Sequence, residues 1–82
     1  MNYQKFNRHA IFTAEDRSLV MKAINEVEDR KDYETGNMLF GLFDGYLYRD
    51  LFQALNRQLR VKTLMQMLVL IHKIEDHILF GK

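Results

Sequence analysis

The sequence predicts an all-α fold, a small three-helix bundle with an aromatic N-terminal arm, its apolar surface completed by dimerisation. Three observations lead there. Proline is absent from the 82 residues, and proline inside a helix costs about 3 kcal/mol, so nothing interrupts long helices. Only four glycines occur, too few turn formers for the many short strands of a sandwich or barrel. Apolar residues recur at spacings of three and four in three separate stretches, the period of an amphipathic helix.

Length and composition bound the rest. Eighty-two residues support one hydrophobic core. With 48% hydrophobic and 28% charged residues and a mean hydropathy of −0.31, the chain has enough apolar mass to offset ordering entropy, so a folded domain is expected over residues 13–82 behind an arm at 1–12. The most apolar stretch, Val61 to Ile71, carries Lys62 and Gln66, which predicts no membrane span. The N-terminus lacks the basic, apolar and small-residue order of a secretory signal, and cysteine is absent. Both features fit a cytoplasmic protein, and the second excludes disulfides, thiolate nucleophiles and cysteine metal sites.

Taken in order, the arm MNYQKFNRHAIF carries Tyr3, Phe6 and Ala10 at helical spacing and is expected to dock through its aromatics. Thr13 followed by Glu15 and Asp16 is an N-cap threonine with acids at the positive end of a helix dipole. Val20, Ala23, Ile24 and Val27 then form one stripe, and a first helix is predicted over 14–31. The run Asp32 to Asn37 combines Asp, Thr, Gly and Asn, and reads as a loop.

A second helix is predicted over 37–57 from the stripe Phe40, Phe43, Leu47, Leu51 and Leu55. Against it stands Asp44-Gly45, a hairpin signal, though the flanking residues neither alternate strictly nor include β-branched side chains. As a helix, the segment places Gly41 and Gly45 on one face, a bare strip of backbone that a bulky group can approach closely. A third helix is predicted over 61–79 from Leu64, Met67, Leu68, Ile71, Ile74 and Ile78, with Met65, Val69, Leu70 and Leu79 widening the stripe. A break between Asn56 and Lys62, with Thr63 as a candidate cap, lets the monomer fold on itself. Without it the last two helices form a rod that needs a second chain.

Catalytic constellations are missing. Ser18 is the only serine, no nucleophile elbow or phosphate-binding glycine loop occurs, and the pairs Glu15–Asp16 and Glu28–Asp29 sit in charge-rich helical sequence. His72 shares a helical turn with Glu75 and Asp76, fewer groups than a zinc site needs. No enzyme, no cofactor and no metal are expected.

Two binding functions remain. Nine large apolar or aromatic residues fall between Leu39 and Phe52, more than one stripe of a small bundle covers. Met38, Tyr46, Tyr48 and Phe52 are therefore the expected protein interface, with Tyr46 and Tyr48 about 200° apart on an ideal helix so that at least one points outward. Such a patch marks an association site, and a homodimer is the commonest arrangement. Residues 13–36 hold four bases and seven acids, a charge of −3, whereas 57–82 hold five bases against Glu75 and Asp76, a charge of +3. This asymmetry suits internal or intersubunit pairing. The function expected is thus a non-enzymatic regulator or adaptor working through helical protein–protein contact. The alternative is a DNA- or RNA-binding regulator, with Arg57, Arg60 and Lys62 as the nucleic-acid contacts near the junction of the last two helices.

Overall fold

In the computed structural model, which describes residues 3–81, the chain runs β1 (Tyr3–Lys5), α1 (Arg8–Ile11), α2 (Ala14–Asp29), α3 (Tyr33–Leu42), β2 (Tyr46–Tyr48), α4 (Leu51–Gln58) and α5 (Val61–Phe80). Helix accounts for 73% of it, so the mostly helical character matches expectation. The count does not: five helices and a two-stranded sheet replace the three-helix bundle. Residues 1 and 2 of the expected arm and Lys82 of the helical region lie outside the described residues.

Helix α2 begins where the capping signal puts it. The Thr13 hydroxyl accepts from the Asp16 backbone N–H at 3.1 Å, and the Asp16 carboxylate accepts from the Thr13 N–H at 3.0 Å, a reciprocal capping box. Val20, Ala23, Ile24 and Val27 are buried as the stripe requires. The helix ends two residues early, because Lys31 adopts a left-handed φ of 63° and reverses the chain. The expected loop at Asp32–Asn37 is instead the start of α3. Asp32 is its N-cap, accepting from the Thr35 N–H at 3.1 Å and the Thr35 hydroxyl at 2.6 Å. Residues that favour turns also favour caps, and here the cap reading wins.

The helix expected over 37–57 is divided. Phe43, Asp44 and Gly45 form a tight turn in which successive N–H groups donate back to Phe40, Gly41 and Leu42. Gly45 has φ +86°, and a Cβ there would stand 2.6 Å from the Phe6 carbonyl oxygen. Asp44-Gly45 therefore does turn the chain, but no hairpin results, since the segment before it is helix. β2 pairs antiparallel with β1 instead, in the register Tyr3↔Tyr48, Gln4↔Leu47, Lys5↔Tyr46. The arm thus docks by backbone as well as by aromatics: Phe6 is buried, its N–H donates to the Gly45 carbonyl at 2.8 Å, and Phe12 meets Phe43 edge-on at 5.8 Å. Ala10, expected on the docking stripe, is exposed.

Leu59 and Arg60 are extended and separate α4 from α5, so the last two helices are not a rod. Helix α2 occupies the centre, flanked by α3 and α5. One core joins them, built on Ile24, Leu39, Leu42, Leu51, Leu55, Met67 and Ile74. The Cα radius of gyration is 11.7 Å, the value a compact chain of this length reaches on its own.

Candidate functional site

The start of α5 is held from another helix. Arg60, its N-cap, supplies no side-chain cap. Glu26 of α2 does so instead, its carboxylate accepting from the Arg60 N–H at 3.1 Å and from the Thr63 hydroxyl at 2.5 Å. Thr63 is buried one turn into α5 and is not the cap the sequence suggested. Burial works to raise the Glu26 carboxyl, but the Thr63 and Arg60 hydrogen bonds and the charges of Arg60 and Lys22 hold it below its ordinary value. Farther along, Lys73 binds Asp16 at 2.9 Å. Burial again opposes, but the Thr13 N–H and Lys73 hold the Asp16 carboxyl below its usual range. Some of the acidic second quarter and basic last third are therefore matched within one chain.

With α5 held at its start and again at Lys73, its two faces are fixed. Thr63, Met67, Leu70, Ile71 and Ile74 enter the core. Roughly opposite, Val61, Met65, Val69 and Leu79 are 62–72% exposed, and Phe80 adds a further open ring. Beside this face, Phe52 on the first turn of α4 is 46% exposed. It borders a recess shared with Arg49, Leu68, Ile71, His72 and Glu75. A second recess continues from Phe52 toward Gln4, Leu47 and Tyr48 on the sheet. The exposed apolar surface is thus an outer helix face with a groove along one edge.

The residues expected at the interface are scattered differently. Met38 is buried in the core, 6% exposed. Tyr46 and Tyr48 lie on a strand, so they share one face on either side of buried Leu47 rather than diverging by 200°. Both are half-buried against Tyr3, with ring centroids at 4.9 and 5.7 Å. The Lys5 ammonium lies 5.7 Å from the Tyr46 ring. The Tyr48 ring covers Gly41, where a Cβ would come within 2.9 Å of it. The close approach expected over a bare glycine occurs there, while Gly45 is spent on the turn. Of the four, only Phe52 is on open surface.

Arg57 and Arg60 border different recesses. Arg57 borders a recess with Asp32, Glu34 and Asp50. Arg60 borders a groove along α2 that holds Arg17 and Lys22 as well as Glu26 and Asp29. Lys62 is exposed on the first turn of α5. Among the described residues no three His, Asp or Glu side chains converge as metal ligands, and His72 meets Glu75 at 3.8 Å on the helix surface. No helix among them is long and apolar enough to cross a membrane.

The outer face of α5 is what sequence reasoning missed. Its signal was present in Met65, Val69 and Leu79, which broaden the stripe beyond the arc that one core contact can bury. No family model matches the chain, and neither a curated protein nor a solved structure is detectably similar to it.

Proposed function

We propose that the protein is a small non-enzymatic regulator or adaptor that works through helical protein–protein contact, with the outer face of α5 and Phe52 as its contact surface. One observation carries this reading. Val61, Met65, Val69 and Leu79 lie in water on a helix whose opposite face already completes the core. The fold does not use them, and exposed apolar side chains grouped on one helix face, as Val61, Met65 and Val69 are, mark association. Phe52 and Met65 are of the residue types enriched in interface cores. Arg57 stands among the carboxylates of Asp32, Glu34 and Asp50, which weakens any field for phosphate there.

The test is a paired substitution, Met65→Lys with Val69→Lys, in the whole chain. Mass in solution at tens of micromolar and recovery of bound protein from the cells that make it are compared between variant and parent. The variant is expected to keep its helical circular dichroism and thermal midpoint and to lose association. If the parent is a monomer that holds no protein through these residues, the reading fails.

A further inference from the structure

Along α5, Val61, Met65, Leu68, His72, Glu75 and Leu79 follow one another at spacings of 4, 3, 4, 3 and 4. That is a heptad seam over about 28 Å of helix. It is a different line from the core stripe, lying on the side where Val61, Met65 and Leu79 are open and Leu68 is half-covered. A 3.5-residue repeat suits a helix partner, and the pairing reading above leaves that partner to be named.

We propose, resting on that reading, that the partner is a second copy of this chain, its α5 packed antiparallel against the first about a two-fold axis beside residue 70. Antiparallel seams pair each heptad position with its complement. With the axis there, Val61 meets Leu79 of the other copy, Met65 meets Glu75, and Leu68 meets His72. The flanking positions then decide the orientation. Lys62, Val69 and Asp76 occupy equivalent heptad positions on one side of the seam, all exposed. The antiparallel register sets Lys62 against Asp76 of the other copy, twice by symmetry, with Val69 against its own image between them. A parallel pair places Glu75 against Glu75 in the seam, separates Lys62 from Asp76 of the other copy, and aligns the two helix dipoles unfavourably. Like charges across such a contact select against that arrangement.

The area is of the right order. Each open side chain among Val61, Met65, Val69, Leu79 and Phe80 offers on the order of 100 Å². Val61, Met65, Val69 and Leu79 of two copies thus bring about 800 Å² to the seam, and Leu68 and Phe52 raise it toward the roughly 1,000 Å² that a specific interface needs. Phe52 stands beside the middle of the seam, sharing its recess with Leu68 and His72, and closes the groove from each side.

Because the chain has no cysteine, introduced thiols report the geometry without background. Val61→Cys mixed with Leu79→Cys is expected to cross-link under mild oxidation, since a disulfide needs Cα atoms within about 7 Å, whereas either variant alone is not. Charge exchange gives a second readout. Lys62→Asp or Asp76→Lys alone weakens the dimer about tenfold, and the two together restore it. Self-linking of Val61→Cys as fast as the mixture overturns the antiparallel register. A parent chain that is monomeric, yet holds another protein in a Val69-dependent way, overturns the second-copy proposal and leaves the contact surface standing. A monomer that holds nothing overturns both.

Discussion

Single residues decide the local geometry here through what they lack or what they accept. Gly45 is the sharper case. Its φ of +86° and the Phe6 carbonyl 2.6 Å from any Cβ leave no room for a side chain. Gly45→Ala is expected to cost about 1–3 kcal/mol, lowering the thermal midpoint by on the order of 10 °C; calorimetry checks it. Glu26 acts through acceptance, capping a helix that brings no cap of its own. Glu26→Ala is expected to lose about 1–2 kcal/mol in urea denaturation. Its titration has a definite sign. The folded pKa lies below the ordinary 4.5, so the contribution is complete above that value and disappears as pH falls through the folded one. Asp16, also lowered, behaves alike. The urea midpoint should therefore fall as the solution is acidified below about pH 4.5, and Glu26→Gln should flatten part of that fall. A midpoint independent of acid would show that neither carboxylate matters to folding.

At the scale of elements, the two tyrosines of β2 and the outer residues of α5 make opposite predictions. Tyr48 covers Gly41 and touches Tyr3. Tyr48→Ala is expected to lower stability by about 1–3 kcal/mol and to leave association unchanged. Val69→Lys, on open surface, should stay within about 0.5 kcal/mol of the parent in stability and remove association. Equilibrium unfolding and light scattering on the same two variants separate the roles. The division of residues 38–52 into helix, turn and strand also explains their apolar density. Each short piece faces a different neighbour: α3 lies on α2, β2 on β1, and α4 between α3 and α5. A single helix could not have buried all three sets.

For the molecule as a whole, the arm is part of the fold. Phe6 is core, Phe12 braces Phe43, and β1 supplies the only partner that β2 has among the described residues. Deleting residues 1–12 is expected to cost about 3–5 kcal/mol, the scale of losing a buried aromatic, and to broaden the unfolding transition. An unchanged urea midpoint would show that the arm only decorates the surface. The core closes within one chain, so the partner contact proposed at α5 would add to a folded monomer rather than create it.

Elements whose signals are local could be read from the chain alone. The capping box at Thr13, the stripe of α2 and the long α5 were legible because caps and 3.6-residue periodicity act over a few residues. The docking of an aromatic arm was legible too, from bulky residues that water would not tolerate. Where residues 38–52 change conformation depends on long-range packing. Phe40, Phe43, Leu47 and Leu51 keep helical spacing by coincidence, and the turn at Gly45 is stabilised by Phe6, nearly forty residues away in sequence. It also decided which apolar residues remain outside. Both faces of α5 are apolar in sequence, and only the positions of α2 and α4 select the one that is buried. The contact surface we propose is therefore Val61, Met65, Val69 and Leu79 rather than Met38, Tyr46 and Tyr48, with Phe52 alone common to both. Burial is a property of the packed neighbours, and no window of the sequence contains them.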